Sequence, residues 1–380
     1  MLKKLVSTTA VAALVAAGVI SYGHAAKADE LVVGVAGPLT GQYASFGDQL
    51  QKGAEMAVKD INAKGGVLGK MLKLELGDDA CDPKQAVQVA NDFVKKGVVF
   101  VDGHFCSGSS IPASAVYIEE GILQITPAST NPSFTDDPAA KGISTIMRTC
   151  GRDDQQGVFA GTWIAKHYEG KNVAVLDDKS TYGAGLAEQT AMNMESSGLK
   201  PALRDTYTAG DKDFSALISK MKDAKIDAVY IGGYHPDAAL MMRQAREQGF
   251  KAEFISGDAM NTAEFWSISG PAGEGMRFSN AADAQLLPSA KEVVKEFMAE
   301  NYKPEGYTLS TYAALQAFAQ AANGAGSTDG EKMADWLRKN GASTVMGDLN
   351  WDDKGDLTKS TYAWYLWHDG EYNQITDPMN

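Results

Sequence analysis

Five side chains with complementary binding chemistry follow short apolar segments of the chain. They are Ser107, Thr130, Tyr182, Tyr234 and Asp258. Hydroxyl groups and backbone amides can hold a buried carboxylate without a cation, whereas a buried ammonium needs one carboxylate and further acceptors. The two tyrosine rings are suited to cover a small molecule. The set is therefore typical of a site that binds a small zwitterion and less typical of one that carries out a reaction.

These side chains are positioned by an alternation of strands and helices from Leu31 to about Asp258. In the helix predicted after Asp82, Pro83 suits the first turn, and Gly97 marks the end of the apolar periodicity. The alternation predicts right-handed βαβ units and parallel sheets, in which ligands bind beyond the carboxyl ends of the strands. The predicted strands that precede the candidate loops are residues 98–101, 122–125, 173–177, 228–231 and 253–255.

A chain of 380 residues is longer than those that usually fold around a single hydrophobic core, so two α/β lobes are expected. Each lobe is predicted to be a Rossmann-like, doubly wound sheet. The polar stretch 148–156 is the first predicted crossover, and a second is expected near residues 276–284. Helical segments then rejoin the first lobe, and a strand near residues 361–367 returns to the second. The predicted boundaries are 29–148 plus 281–358 for lobe 1, and 149–280 plus 359–380 for lobe 2.

The first 28 residues are typical of a cleavable export signal. Lys3 and Lys4 precede an Ala- and Val-rich run, and small residues flank Lys27, so cleavage is predicted before Asp29. No cysteine follows directly to carry a lipid, and no later segment is long and apolar enough to span a bilayer. The net charge of −13 argues against nucleic acid or an anionic membrane as a partner.

The three cysteines leave one without a partner in an oxidising compartment. Cys81 and Cys106 fall in loops after successive strands, where a disulfide is plausible, and Cys150 is left over. We expect Cys150 to be buried and inert, with a reactive thiol as the alternative.

An enzyme is the rival class of function. Cys106 lies near His104, but a disulfide-bonded sulfur is no nucleophile, and Gly-x-Ser-x-Gly and Gly-x-Gly-x-x-Gly motifs are absent from suitable positions. Neither His104 nor His235 has partners at a zinc-like spacing, so both are predicted to be structural. We therefore predict no catalytic residue, metal or cofactor.

Four segments carry a family resemblance, in order along the chain. They are DDACDPKQAV at 78–87, ITPA at 125–128, GGYHP at 232–236 and VMG at 345–347. They resemble the periplasmic leucine/isoleucine/valine-binding proteins of ABC importers. The resemblance implies two lobes joined by a three-strand hinge, closure around an amino acid, a Cys81–Cys106 disulfide and a periplasmic location. It also implies an inner-membrane ABC permease as partner, and we expect a monomer.

The resemblance assigns roles at matching positions. Ser107 corresponds to the serine that holds the ligand carboxylate, and Ala128 and Thr130 to the pair that contacts both charged groups. The two tyrosines correspond to rings that cover the ligand, and Asp258 to a glutamate that pairs with the ammonium. The full predicted ligand set is Phe46, Phe105, Cys106, Ser107, Ala128, Ser129, Thr130, Tyr182, Tyr234 and Asp258.

Three departures from the family pattern bear on the ligand. Phe46 replaces the usual tyrosine, Phe105 replaces a smaller aliphatic residue, and Asp258 is one methylene shorter than glutamate. The first two change the shape of the pocket, and the third changes its reach. An aliphatic, Leu/Ile/Val-like amino acid is the expected ligand. A periplasmic sensor of amino acids or amides that reports to a regulator is the alternative function.

Overall fold

The computed structural model describes residues 30–376, which form two α/β lobes around separate, mainly parallel sheets. The predicted fold class is confirmed. The predicted export signal and its cleavage position lie outside the described residues. Within the described part, no helix combines the length and the hydrophobicity that crossing a membrane would require.

Strands and helices alternate along most of the described chain. The strands are β1 Leu31–Gly37, β2 Leu72–Asp78, β3 Phe100–Gly103, β4 Leu123–Thr126, β5 Ile146–Arg148, β6 Val173–Asp177, β7 Leu203–Thr206, β8 Ala228–Gly232, β9 Glu253–Ser256, β10 Arg277–Ala281, β11 Ala342–Thr344, β12 Gly347–Leu349, β13 Tyr362–His368 and β14 Glu371–Ile375. The helices are α1 Ala44–Ala63, α2 Pro83–Lys95, α3 Ser107–Glu119, α4 Ser133–Ala139, α5 Asp153–His167, α6 Thr181–Ser196, α7 Ser215–Asp223, α8 His235–Glu247, α9 Glu264–Ser269, α10 Lys291–Ala299, α11 Thr308–Ala325 and α12 Gly330–Asn340.

The first sheet has the strand order β2-β1-β3-β4-β5, and all of its strands are parallel. Helices α2 and α3 pack over one face around Phe93 and Tyr117, and α1 and α11 pack over the other around Leu50 and Phe318. The helix start predicted at Asp82 is observed, because the Asp82 carboxylate accepts hydrogen bonds from the backbone amides of Lys84 and Gln85. Both faces of this sheet are therefore buried, as parallel sheets require.

The second sheet has the order β14-β13-β10-β9-β8-β6-β7. Strands β6 to β10 pair in parallel, and the C-terminal hairpin β13–β14 adds two antiparallel strands at one edge. Helices α5 and α6 pack together against this sheet. The predicted return of the C-terminal strand to the second lobe is thus observed.

The chain passes between the sheets three times. It leaves β5 for α5, leaves β10 for α10, and returns from the small β11–β12 hairpin to β13. Helices α11 and α12 pack on β3 and β4 of the first sheet, so the segment after β10 does rejoin the first lobe. The residue boundaries given above for the two lobes stay a prediction.

The predicted disulfide is confirmed. Cys81 and Cys106 are bonded, with their Cα atoms 5.6 Å apart, and Cys150 is free. The bond joins the loop after β2 to the start of α3, so it fixes the segment that carries Ser107.

Candidate functional site

The loop between β3 and α3 is held rigidly by a buried histidine. His104 Nδ1 lies 2.6 Å from Asp79 Oδ2, and its Nε2 lies 2.9 Å from the Tyr117 hydroxyl oxygen. Both ring nitrogens are occupied inside the lobe, which agrees with the structural role predicted for His104. The following residues, Phe105 and Ser107, are thereby presented at the edge of the first sheet.

The loop after β4 is fastened to the loop after β3. Thr126 Oγ1 donates to the His104 carbonyl oxygen at 2.7 Å, and Ser129 Oγ donates to the Phe105 carbonyl oxygen at 2.9 Å. Ser129 Oγ also lies 2.5 Å from Ser110 Oγ. The Ser129 hydroxyl is thus used within the lobe, whereas its neighbours Ala128 and Thr130 line cavities between the lobes.

A buried arginine anchors the same loop. Arg148 is fully buried, and its Nη1 and Nη2 donate to the carbonyl oxygens of Ser129 and Asn131, which flank Thr130. Arg148 Nε lies 2.7 Å from Asp356 Oδ1, and Asp356 also pairs with Arg152. Three residues near the crossovers therefore determine where the backbone around Thr130 lies.

An aromatic cluster fills the space beside the two loops. The rings of Phe46 and Phe105 stack with centroids 4.5 Å apart, and Tyr307 meets Phe105 edge-on at 4.9 Å. Tyr234 packs against Tyr182 at 5.1 Å. Phe46 and Phe105 thus form an apolar wall, and the ring of Tyr307 completes it.

Asp258 lies between tyrosines from both lobes. The Tyr182 hydroxyl donates to Asp258 Oδ1 at 2.9 Å, and the Tyr307 hydroxyl donates to Oδ2 at 2.6 Å. Burial raises the pKa of Asp258, and the two tyrosine hydroxyls act in the opposite direction. Gly257 permits this approach, because a Cβ there would lie 2.8 Å from the Tyr182 hydroxyl oxygen.

A second buried carboxyl group, that of Asp153, lies in the same region. Asp153 is the first residue of α5 and is fully buried, and neither carboxyl oxygen has a well-formed hydrogen bond within the described residues. Burial raises the pKa of Asp153 to about 8; the nearby Thr130 hydroxyl lowers it, and the negative charge of Asp258 raises it further. The site therefore holds two carboxyl groups, and a cation bound beside them would stabilise the ionised form of both.

Two cavities meet at Asp258 and Tyr307. The smaller, of about 10 Å³, is also lined by Phe105, Ser107 and Ala128 and has room for about one water molecule. The larger, of about 300 Å³, lies on the hinge side of the same two residues. Entry of an amino acid into the smaller cavity therefore requires the lobes to move apart.

Most of the predicted site residues lie around the two cavities. Phe105, Ser107, Ala128, Tyr182, Tyr234 and Asp258 line one cavity, and Phe46 packs behind Phe105. Thr130 lines the larger cavity beside Asp258. Cys106 is committed to the disulfide, and Ser129 to hydrogen bonds within its lobe.

Two residues of the site were not predicted. Tyr307 lies between two helices, directly before α11. Asp153 begins α5 after β5, a strand that was not among those predicted to precede the candidate loops. For Asp153 a clue was available, since it lies in the polar stretch predicted to be the first crossover. No feature of the sequence singled out Tyr307.

Cys150 and His235 also lie near the site. Cys150 is only partly buried and lines the larger cavity, so the full burial expected from the sequence is wrong. Desolvation of the thiol raises its pKa to about 12, which favours the inert form that was also expected. His235 Nε2 lies 2.9 Å from Glu264 Oε2, and its ring meets the edge of Phe46 at 5.0 Å. It therefore packs behind the aromatic wall.

The chain is similar to proteins that bind amino acids. It is 47% identical over 379 residues to the "Leu/Ile/Val-binding protein homolog 1" of Brucella suis biovar 1 (strain 1330), which covers 99% of this chain and 100% of that protein. A leucine-binding protein of Thermotoga maritima superposes with a TM-score of 0.83 at 28% identity, covering 91% of this chain and 98% of that one.

A third similarity is to a protein solved with its ligand. The branched-chain amino acid transporter substrate-binding protein of Streptococcus pneumoniae, in complex with isoleucine, superposes with a TM-score of 0.82 at 25% identity, covering 91% of this chain and 99% of that one. The sequence profile of the family described as periplasmic binding protein matches residues 30–370. The chain therefore belongs to the periplasmic binding protein family.

Proposed function

We propose that this protein is the substrate-binding component of an ABC importer and captures an aliphatic, Leu/Ile/Val-like L-amino acid between its lobes. The observation that carries the proposal is the position of Asp258, a buried carboxylate of the second lobe that faces the cavity lined by Ser107 of the first. The names of the similar proteins, and the isoleucine in one of them, support the same ligand class.

The carboxylate of the ligand would be held by the first lobe. Ser107 is the first residue of the 13-residue helix α3, where the helix dipole and free backbone amides favour an anion. Its hydroxyl oxygen is fixed by accepting the Asn131 amide at 3.3 Å. The disulfide at Cys106 and the buried His104 keep this helix end in place, so the donors are positioned before the ligand arrives.

The ammonium would be held by the groups around Asp258. The carboxylate accepts hydrogen bonds from two tyrosines and keeps lone pairs for an ammonium donor. The side-chain oxygens of Thr130 and Asp153 lie beside it, and within residues 30–376 these oxygens have no well-formed hydrogen bond. A ligand cation would compensate the burial of both carboxyl groups, which is otherwise unfavourable.

The side chain of the ligand would meet an apolar wall. Phe46 and Phe105 offer only ring surface, and the Tyr307 hydroxyl is used in its hydrogen bond to Asp258. In the described part of the chain, no charged residue besides Asp258 lines the small cavity. An acidic or basic side chain would lose its hydration there without gaining a partner, so an aliphatic side chain is preferred.

Closure of the lobes would complete the site. Tyr182 and Asp258 belong to the second lobe, and they meet Tyr307 of the first. Asn131 Nδ2 also donates across the cleft to the Thr181 carbonyl oxygen at 3.0 Å. A ligand that contacts both lobes shifts the equilibrium towards the closed form, which we propose is recognised by an inner-membrane permease. Lobe 1 then comprises 29–148 plus 281–358, and lobe 2 comprises 149–280 plus 359–380.

We propose that the protein has no enzymatic activity, since capture and release require only the binding groups described. We also propose that residues 1–28 are removed on export to the periplasm, so that the mature chain begins at Asp29 and acts as a monomer. N-terminal sequencing of the periplasmic protein tests the cleavage position.

A thermal-shift panel of the twenty amino acids tests the ligand class. Purified mature protein, freed of bound ligand by unfolding and refolding, should gain about 2.7 kcal/mol of stability at a ligand concentration 100 times the dissociation constant. The largest shifts are expected with leucine, isoleucine and valine, and none with glutamate, arginine or glucose. A panel in which no aliphatic amino acid stabilises the protein, or in which a charged amino acid or a sugar does so best, would refute the proposal.

A further inference from the structure

A large cavity adjoins the proposed amino-acid site on the side of the hinge. Its volume is about 300 Å³, and segments near all three crossovers line it, through Cys150, Ala282 and Tyr362. Asp258 and Tyr307 line both this cavity and the small one that contains Ser107. The two cavities thus share the wall at which the ligand nitrogen is expected.

The space around the expected ligand is distributed unevenly. On the side of Phe105 and Ala128 the cavity holds about 10 Å³. On the other side of Asp258, beside Thr130, the space is about thirty times larger by the same measure. A nitrogen bound between Asp258 and Thr130 would therefore have room for a substituent on the side facing the hinge.

The lining of the hinge cavity indicates which substituents it would accept. The hydroxyls of Tyr362 and Tyr365 donate to the carbonyl oxygens of Arg152 and Ala281, and Ser360 also hydrogen-bonds to the Tyr362 hydroxyl. Each phenolic oxygen still keeps a lone pair that can accept a hydrogen bond. Of the three charged residues in the lining, Asp258 and Asp283 would repel an anion and Lys303 would attract one, so the net charge of the lining is negative. Leu309 and Met346 add apolar surface. A short alkyl or hydroxyalkyl group matches this combination.

We propose that the site also takes L-amino acids whose nitrogen carries a short alkyl or hydroxyalkyl group, with that group in the hinge cavity. Such a secondary amine stays cationic and keeps two N–H donors, enough for Asp258 and Thr130. The inference rests on the proposed function and extends its substrate class from primary to secondary amines.

Titration calorimetry on matched ligand pairs tests the inference. L-alanine is compared with N-(2-hydroxyethyl)-L-alanine, and L-leucine with N-methyl-L-leucine. Each derivative is expected to bind within about threefold of its parent, because no packed atoms need to move. If packed atoms filled the space beside the ligand nitrogen, each derivative would bind about tenfold or more weakly than its parent, and this result would overturn the inference. Normal affinity for the two parent amino acids would leave the proposed function intact. Failure of all four ligands would instead refute the proposed function.

A cavity-filling variant locates the substituent. Ala282 is exposed at the rim of the hinge cavity, so A282W narrows the cavity without entering a packed core. It is expected to weaken N-(2-hydroxyethyl)-L-alanine by about tenfold and to leave L-alanine unchanged. V158W, which places the same side chain at an exposed position of α5 outside the cavity lining, should affect neither ligand. An unchanged affinity of the derivative in A282W, or an equal loss for both ligands, would overturn the inference.

Discussion

Asp258→Asn is expected to weaken ligand binding strongly and to leave the fold intact. The substitution keeps the side-chain volume and removes the charge that faces the ligand ammonium. Loss of one member of a buried charge pair costs about 2 to 5 kcal/mol. Because the carboxyl group of Asp153 lies in the same region and can still attract the cation, the lower end of that range applies here. A loss of about 2 to 3 kcal/mol corresponds to roughly 30-fold to 150-fold in the dissociation constant.

The fold should tolerate this change. An asparagine at 258 can accept a hydrogen bond from one tyrosine through Oδ1 and donate to the other through Nδ2. Removing a buried charge also removes its desolvation cost, so the melting temperature of the ligand-free variant should equal or exceed that of the wild type.

The assay measures affinity and ligand-free melting temperature on the same samples. Calorimetry with the tightest ligand of the thermal-shift panel gives the affinity. Asp137→Asn is the matched control, since Asp137 is exposed on α4, and it should change neither quantity. Unchanged affinity in Asp258→Asn would refute the assignment of the ammonium site. A large fall in both affinity and melting temperature would assign Asp258 a structural role instead.

Three further predictions concern the groups that support the site. Because the pKa of Asp153 is raised to about 8, the folded protein binds a proton that the unfolded chain releases, so stability falls as pH rises from about 4 to 8. Asp153→Asn removes this pH-dependent contribution, so the unfolding free energy of the variant relative to the wild type should increase between pH 5 and pH 8. If urea unfolding gave the same difference at both pH values, the raised pKa of Asp153 would be contradicted. Replacing Cys81 and Cys106 together by serine should cost about 3 to 4 kcal/mol of unfolding free energy, given a sequence separation of 25, and a loss below 1 kcal/mol would contradict it. Arg148→Met leaves Asp356 without one of its cations and should cost about 3 to 5 kcal/mol in urea unfolding, whereas a neutral result would show that the buried pair does not hold the Thr130 loop.

The fold was predictable because predicted strands and helices alternate regularly along much of the chain. The predicted strand 173–177 coincides with β6, and the helix predicted after Asp82 is α2. Short buried strands that alternate with amphipathic helices have one common arrangement, a parallel sheet covered on both faces. The C-terminal return to the second sheet followed from the aromatic strand before Gly370.

The site was predictable where it is built from the carboxyl ends of parallel strands. Ser107, Ala128, Tyr182 and Asp258 follow different strands, yet they line one cavity because the carboxyl ends of parallel strands share an edge of the sheet. Tyr307 reaches the cavity from the start of α11, and its position depends on how the two lobes meet. A contact between lobes has no periodic pattern, so it was not available from the sequence.

The shapes of the cavities were also beyond the sequence. Phe46 and Phe105 were predicted to alter the pocket, but their stacking at 4.5 Å and the edge-on contact with Tyr307 depend on side-chain packing across separate elements. The hinge cavity is lined by segments near three crossovers that are distant in the chain. Such volumes follow from tertiary packing and from the angle between the lobes.

A crystal structure of the mature protein grown with L-isoleucine would show which groups of the site hold the two charged ends of the ligand. We predict one ligand molecule between the lobes, with its carboxylate within hydrogen-bond distance of the Ser107 hydroxyl and its ammonium within hydrogen-bond distance of the Asp258 carboxylate. An isoleucine bound in the reverse orientation, or bound away from both residues, would contradict it.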